Sequence, residues 1–288
     1  AQSLTAHSSW RALPTQVPSI KHALSPYCYR CPLKLTYPDC GVACAEDVEE
    51  LIKTTTTGKI AGMMIEPIQG VGGFITPPEE YFKIVAEIIR QHGGIFISDE
   101  VQTGFGRTGK MWGIEHYGVE PDMITMAKGI ANGFPLSACI TTTEISDALI
   151  KNTISTFGGN PVSCVAAIKT VEIIERDKLA NNSMKMGVVL REGLDELKEK
   201  YPKYSGDVRG KGLMQAVEFV VDEPAGDRTP NPEVVDQLME ETKKRGLLIG
   251  RGGLVGNIVR ISPPLNINRN DVEKALEILD DALSVMTN

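Results

Sequence analysis

Residues 95–109 read IFISDEVQTGFGRTG, and residues 122–135 read DMITMAKGIANGFP. Each segment contains a short apolar run bounded by glycine or acidic residues, which is typical of a buried strand in a parallel sheet. The first run ends at Asp99, and the second run leads to Lys128. Ligands of open parallel sheets bind beyond the carboxyl ends of the strands. We therefore expect the side chains of Asp99 and Lys128 to lie together at that edge of the sheet.

A carboxylate and a lysine at strand ends suit pyridoxal phosphate (PLP). A lysine amine forms an imine with the cofactor aldehyde, and a carboxylate keeps the ring nitrogen protonated so that the ring accepts electrons. Each residue alone has a plainer interpretation. An acidic pair such as Asp99–Glu100 commonly starts a solvated loop, and most lysines are simply exposed to solvent. We assign Glu100 a structural role only. The combination of Asp99 and Lys128 therefore predicts the site.

The segments around this stretch alternate between strands and helices. We predict strands at 60–65, 95–98, 123–126, 136–142, 208–221, 247–249 and 258–261, and helices at 45–53, 79–91, 144–149, 161–176, 179–200, 233–245 and 271–286. Strand–helix–strand alternation indicates a parallel sheet with covering helices. The period of two within 208–221 favours an antiparallel strand and a second, smaller α+β domain.

Two helices carry more detailed expectations. In the helix at 161–176, a stripe of four apolar residues is expected to face inward: Val165, Ile168, Val171 and Ile174. The last helix is expected to begin at an asparagine cap, either Asn268 or Asn270.

Motifs along the chain resemble the class-III PLP-dependent aminotransferases. They are EPIQG (66–70), DEVQTGFGRTG (99–109), TMAKGIANGFP (125–135), TFGGNP (156–161), DVRGKGL (207–213) and RISPPL (260–265). The resemblance covers nearly the whole chain from about residue 60. It implies an α/β fold of the aspartate aminotransferase-like PLP-dependent transferases. Residues 1–180 would form part of the large domain, with a mostly parallel sheet, and residues 181–288 the smaller C-terminal α+β domain.

The same resemblance implies roles for individual residues. Lys128 would hold the cofactor aldehyde as an imine and carry a proton between substrate and cofactor, and Asp99 would bond the pyridine nitrogen. Val101 would pack on the ring face, and Gln102 would bond the phenolic oxygen. Thr156 would reach the phosphate bound by the neighbouring subunit of a homodimer with a shared active site, although by itself it fits a simple turn.

Arg260 matches the arginine that binds the substrate α-carboxylate, and the planar fork of a guanidinium suits that task. A salt bridge at the rim of the site is the alternative for a lone arginine. Ornithine and 4-aminobutyrate aminotransferases of the family carry a glutamate directly after EPIQG that pairs with this arginine, whereas this chain has Val71. The departure favours substrates with a carboxylate near the reacting carbon, and in this respect the chain resembles alanine–glyoxylate aminotransferase.

We therefore predict a ping-pong transfer of an amino group from a small amino acid such as alanine to a 2-oxo acid such as glyoxylate or pyruvate. Three alternatives stay open. One is a PLP-dependent lyase of the phospholyase type on the same scaffold. Another is an ω-amino acid aminotransferase. The third is a non-enzymatic zinc-binding protein.

The zinc alternative rests on four cysteines, Cys28, Cys31, Cys40 and Cys44, in the pattern C-x2-C-x8-C-x3-C. Thiolates at such spacings can converge on zinc, but reduced, partly buried thiols give the same pattern. The resemblance requires no metal, and we expect none.

Composition sets the remaining limits. The 288 residues carry a net charge of −7 and a pI near 5.3, which count against nucleic acid or anionic membrane as a partner. The first residues lack the basic and apolar regions of a signal peptide. We expect a cytoplasmic protein, with a mitochondrial location left open because an N-terminal portion would be missing. The resemblance also suggests a fragment, because the family's main phosphate-binding turn and ring-stacking aromatic residue would precede residue 1.

Overall fold

The computed structural model describes residues 2–13 and 15–287. In chain order its helices and strands are α1 (Ala43–Thr55), β1 (Gly62–Ile65), α2 (Tyr81–Gln91), β2 (Ile95–Asp99), β3 (Met123–Met126), β4 (Ala138–Thr141), α3 (Thr143–Asp147), α4 (Pro161–Arg176), α5 (Leu179–Lys200), β5 (Ser205–Lys211), β6 (Met214–Asp222), β7 (Asp227–Pro230), α6 (Pro232–Lys244), β8 (Gly250–Gly252), β9 (Ile258–Ile261) and α7 (Arg269–Thr287). Short 3-10 turns lie before α1 and after β3.

The first sheet has the order β1-β2-β3-β4. The first three strands are parallel, and β4 joins the edge antiparallel to β3. This arrangement confirms the α/β fold with a mostly parallel sheet. Because β1, β2 and β3 run in the same direction, the residues that follow them emerge at the same edge of the sheet.

Aromatic packing fixes β2 against the helices. Phe82 of α2 and Phe96 of β2 are both fully buried, with ring centroids 6.0 Å apart. Phe82 also lies 4.5 Å from the ring of Tyr117. Rings at these separations bury large apolar areas and favour edge-on or tilted contacts. The cluster therefore holds the strand that ends at Asp99.

The second sheet is built around β6, which pairs antiparallel with β5, β7 and β9, while β8 pairs with β9. The prediction of one strand over 208–221 is wrong, because a tight turn at Gly212 folds the segment into a β5–β6 hairpin. Gly212 has φ +53°, and a Cβ there would lie 2.4 Å from the backbone carbon of Thr108. Only glycine allows so close an approach in this conformation.

Three helices cover the second sheet. Apolar side chains of α5, α6 and α7, including Leu194, Leu238 and Leu279, share one buried cluster with the strands. The backbone N–H of Asp271 donates to Oδ1 of Asn268 at 3.0 Å, so Asn268 is the cap of α7. The strand predicted at 247–249 lies instead at Gly250–Gly252. The division into domains at residue 180 stays a prediction.

The helix α4 has the predicted bounds but a different buried face. Ile174 is buried, whereas Val165 and Ile168 are 60% and 58% exposed. The prediction that these two residues face inward is therefore wrong for this chain. The inward side of α4 packs through Ala167 on the turn that follows β3, and the opposite side is uncovered.

No helix among the described residues is both long and apolar enough to cross a membrane.

Candidate active site

Three charged residues follow the three parallel strands. Glu66 follows β1, Asp99 ends β2, and Lys128 lies two residues beyond β3. The parallel register places the ends of these strands side by side, with Asp99 opposite Thr125. The structure thus brings Asp99 and Lys128 to the one sheet edge that the sequence predicts, and it adds Glu66 to them.

The backbone after β2 is tightly turned. Oδ1 of the half-buried Asp99 accepts a hydrogen bond from the N–H of Val101 at 3.0 Å. The neighbouring Glu100 is fully buried and accepts from the N–H groups of Gly113 and Ile114 at 2.8 and 2.9 Å. Burial raises the pKa of the Glu100 carboxyl, and its hydrogen bonds oppose that shift. Glu100 therefore anchors the turn, and Asp99 is the carboxylate left at the open edge.

Lys128 has a left-handed backbone, with φ 45°, and begins a 3-10 turn that ends at Ala131. A non-glycine residue in this region costs about 1–2 kcal/mol, and such residues cluster at functional sites. Ile130 and Ala131 of the turn are buried, and they pack with Met126 and Phe105. The Lys128 side chain is exposed, so the turn presents it to the solvent at the sheet edge.

Gln102 and Val101 lie beside these charged groups, and both are half-buried. The amide of Gln102 packs directly on Gly70, since a Cβ at position 70 would lie 2.1 Å from its Nε2. Any larger residue at position 70 would displace that amide. The contact joins the turn after β2 to the loop after β1.

Arg260 reaches the same region from β9 of the second sheet. Its Nη1 donates to the carbonyl oxygen of Gly70 at 3.4 Å, and its guanidinium lies 5.5 Å from the ring centre of Phe74. Its Nε is buried and has no hydrogen-bond partner among the described residues. Burial lowers the pKa of this guanidinium. No ion pair within the described part of the chain includes Arg260, so the alternative of a rim salt bridge receives no support.

The Gly70–Phe74 loop (residues 70–74) lies between the two sheets. Its Val71 carbonyl accepts from the N–H of Gly253 at 3.2 Å, and its Gly73 carbonyl accepts from Nε of Arg209 at 2.9 Å. Arg209 in turn pairs with the buried Glu218 at 2.8 Å. The second sheet therefore holds the loop that carries Val71.

Glu66 is a residue to which the sequence assigned no role. Its Oε2 accepts from the N–H of Gly70 at 2.9 Å. Burial raises its pKa to about 7, and the Asp99 charge adds to this shift, whereas the Gly70 hydrogen bond and the Lys128 charge oppose it. Glu66 directly follows a predicted strand, as Asp99 does, and this position is the feature of the sequence that indicates a site residue.

Thr156 stands apart from this group. It is exposed, within a segment where Ile154 and Phe157 are 97% and 83% exposed. Among the described residues no hydrogen bond or ion pair joins Thr156 to Asp99, Lys128 or Arg260. The segment ends at Asn160, whose Oδ1 accepts from the N–H of Ser163 at 3.0 Å and caps α4. Within one chain, then, Thr156 is not part of the assembled site.

The four clustered cysteines line one small apolar pocket with Tyr37 and Pro78. All four thiols are free, and burial raises the pKa of Cys44 to about 11. Residues 2–13 and 15–287 contain no group of three or more histidine, cysteine or acidic side chains placed to hold a metal ion. The geometry therefore matches the alternative of reduced thiols more closely than zinc ligation.

The side chains at the sheet edge fit PLP. An exposed primary amine, a carboxylate and an apolar side chain are supplied by Lys128, Asp99 and Val101 within one edge of the sheet. Beside Asp99 in the register, the buried Oγ1 of Thr125 has no hydrogen-bond partner among the described residues. This set combines the amine, the anion and the apolar surface that a PLP ring needs.

Comparison with known proteins agrees with this chemistry. Residues 3–283 match the family model "Aminotransferase class-III". The mitochondrial alanine–glyoxylate aminotransferase 2 homolog 2 of Arabidopsis thaliana is 43% identical over 283 residues, which cover 98% of this chain and 58% of that protein. The leucine/methionine racemase of Thermococcus litoralis is 37% identical over 276 residues, or 95% of this chain and 61% of that protein.

A solved structure gives the same result. An aminotransferase of Bacillus anthracis superimposes with a TM-score of 0.90 at 35% identity, covering 98% of this chain and 65% of that one. The chain thus spans about three-fifths of the length of these three proteins. The family model and these relatives show that the chain belongs to the class-III aminotransferases.

Proposed function

We propose that the protein containing this chain is a PLP-dependent aminotransferase that moves an amino group from a small amino acid, such as alanine, to a 2-oxo acid, such as glyoxylate or pyruvate, by a ping-pong mechanism. The observation that carries the substrate class is Arg260, a half-buried guanidinium without an acidic partner in the described residues, next to a loop that presents Val71. A buried cation without a partner is costly, so it favours an anionic ligand.

Lys128 is the proposed catalytic residue. When bound, PLP supplies a ring that accepts the electron pair released as the Cα–H bond of the substrate breaks. Nζ of Lys128 is the proposed point of covalent attachment, and the amine that the incoming substrate frees would carry the proton of that bond from the substrate Cα to the cofactor carbon. The strained turn at Lys128 and the packing of Ile130 and Ala131 below it support this role, since they fix where the side chain starts.

Asp99, Val101 and Gln102 are proposed to bind the cofactor ring. The Asp99 carboxylate would hold a proton on the ring nitrogen through a charge-assisted hydrogen bond. Val101 would pack on the ring face, and the Gln102 amide would bond the phenolic oxygen. Their support is their place in one short turn, in which the Val101 N–H holds the Asp99 carboxylate.

Val71→Glu should change the substrate preference. A glutamate at position 71 would pair with Arg260 and compete with the substrate carboxylate. We expect weaker use of alanine and glyoxylate and relatively better use of amines whose reacting end lacks a carboxylate, a shift of about 1–3 kcal/mol in the ratio of kcat/KM values. Steady-state kinetics with both substrate classes measures this ratio. An unchanged ratio would remove Val71 from the determinants of specificity.

Arg260→Ala is the companion variant. Because both substrates present the same carboxylate, kcat/KM should fall in both half-reactions, while amines without that carboxylate should be affected less. Retention of full alanine turnover would contradict the role of Arg260.

Thr156 is proposed to act across a homodimer, binding the cofactor phosphate of the neighbouring subunit. The support is the uncovered apolar surface around it, which includes Ile154, Phe157 and Val162, the last 65% exposed. Contiguous apolar side chains of this kind mark interfaces. Light scattering of the full-length protein should give a dimer, and a monomer at micromolar concentration would contradict the shared site.

Two further expectations stay proposals. The large domain is proposed to end near residue 180, at the junction between α4 and α5, with residues 181–288 as the smaller domain. The cytoplasmic location expected from the sequence is untested, and the Arabidopsis relative is named as a mitochondrial protein.

A racemase is the second candidate, because one relative at 37% identity is named as an amino-acid racemase. Racemisation and amino transfer both start with removal of the Cα proton, and they differ in where the proton returns. Amino transfer from alanine gives a keto acid, whereas racemisation of alanine gives none, so detection of a keto acid distinguishes the two reactions. Val71 counts against the alternative of an ω-amino acid aminotransferase. The phospholyase alternative predicts release of phosphate from a small phosphorylated amine.

A further inference from the structure

We propose that Glu66 is a positioning residue, which holds the Gly70–Phe74 loop in the place where Arg260 can bind the substrate carboxylate. This inference rests on the proposed function of Arg260. Glu66 does not need to touch the substrate in this role. It acts through the loop.

The first contact in this chain of interactions is local. Glu66 directly follows β1, and its Oε2 accepts from the N–H of Gly70 at 2.9 Å. The carboxylate thus closes the four residues after the strand into a compact turn and fixes the peptide group of Gly70.

The second contact passes through Gly70 itself. Its carbonyl oxygen accepts from Nη1 of Arg260, and its Cα packs on the Gln102 amide so closely that a Cβ would displace that amide. Four residues further along the loop, the buried Phe74 lies beneath the Arg260 guanidinium. A displacement of Gly70 would therefore move both surfaces that orient the guanidinium.

Two further hydrogen bonds to the loop come from the opposite side. Gly253 holds the Val71 carbonyl and Arg209 holds the Gly73 carbonyl, and both belong to the second sheet and its connections. Glu66 is the charged side chain of the first sheet that bonds the loop. It therefore ties the loop to the sheet edge that carries Asp99 and Lys128, and so sets the substrate-carboxylate site relative to the proposed cofactor site.

Two matched variants separate the reach of Glu66 from its charge. Glu66→Gln keeps the length of the side chain and an oxygen that can accept from Gly70, but it removes the charge. Glu66→Asp keeps the charge, but it is one methylene too short for the same hydrogen bond. Both are conservative changes that should leave the fold intact, and both are made in the full-length protein with PLP bound.

The kinetic readout is the division between KM and kcat. For Glu66→Asp we expect KM for alanine and for glyoxylate to rise about tenfold, the equivalent of one lost hydrogen bond that leaves the Gly70 N–H without a partner, with a smaller change in kcat. For Glu66→Gln we expect KM within about twofold of the wild-type value. Equal KM values in all three proteins would overturn the proposal, and so would a larger rise in the Gln variant than in the Asp variant.

Hydrogen exchange of the peptide that covers residues 67–75 gives a readout independent of turnover. The Gly70 amide should exchange faster in Glu66→Asp than in wild type, and at nearly the wild-type rate in Glu66→Gln. Unchanged exchange in Glu66→Asp would overturn the positioning role. If the wild-type protein transfers no amino group, the proposed function fails, while the exchange comparison still decides whether Glu66 holds the loop.

Discussion

Replacing Lys128 by alanine should abolish attachment of the cofactor and reduce amino transfer by about 10⁴-fold, the upper range for loss of a general acid–base group. Lys128 is exposed at the end of β3 in a strained left-handed conformation, next to the strand that ends at Asp99. Borohydride reduction of the PLP-loaded wild-type protein should give a stable adduct, and the variant should give none.

Lys178→Ala is the matched control for this experiment. Lys178 also has a left-handed backbone, with φ 52°, so the control imposes the same backbone change in the connection between α4 and α5. It should keep both the adduct and the activity. Reductive labelling of a lysine other than Lys128 in the wild-type protein would show that the assignment is wrong.

Asp99→Ala should retain some PLP binding and lower kcat by about 10²–10³-fold, the range found when one preorganised electrostatic contact is removed. The physical reason is that the carboxylate keeps the ring nitrogen protonated, and without it the ring accepts electrons poorly. Single-turnover kinetics with alanine measures this effect directly.

Asp99→Asn distinguishes the charge of Asp99 from its place in the turn. An asparagine can still accept from the N–H of Val101, the hydrogen bond that is 3.0 Å long in this structure. We expect the Asn variant to be nearly as slow as the Ala variant, since both lack the charge. Near wild-type turnover in the Asn variant would mean that the turn geometry, and not the carboxylate, is what the reaction needs.

The parts of the fold that the sequence predicts well are those that local chemistry determines. The strand at Ile95–Asp99 is bounded by Gly94 and by the acidic pair, and its apolar run has the length of a buried strand. The helix α4 has the predicted bounds, because Asn160 caps it and Pro161 occupies its first turn. Because the ends of the parallel strands are predicted well, the residues that follow them can be placed at one edge of the sheet from the sequence.

The features that were predicted wrongly depend on contacts distant in the sequence. Periodicity shows that Val165 and Ile168 share a stripe, but it does not show whether anything in this chain packs on that stripe. The hairpin at Gly212 is formed where the turn meets the backbone of Thr108, about a hundred residues earlier. A period of two continues across that turn and conceals it.

The candidate site shows the same division. The positions of the strand ends predict Asp99 and Lys128 as site residues, whereas only the family resemblance predicts the roles of Arg260 and Val71. The contacts of Gly70 with Glu66 and with Arg260 bring together residues from two sheets, and one of these pairs is 190 positions apart. No spacing within a motif predicts such a contact, so the Gly70–Phe74 loop became visible only in the structure.

The most direct test of the proposed chemistry is a single turnover with L-alanine and no acceptor. The full-length protein is loaded with PLP and mixed with L-alanine deuterated at Cα, and the products are measured. We expect one equivalent of pyruvate for each bound PLP, without release of ammonia. Loss of deuterium with formation of D-alanine and no pyruvate would contradict the aminotransferase assignment in favour of a racemase.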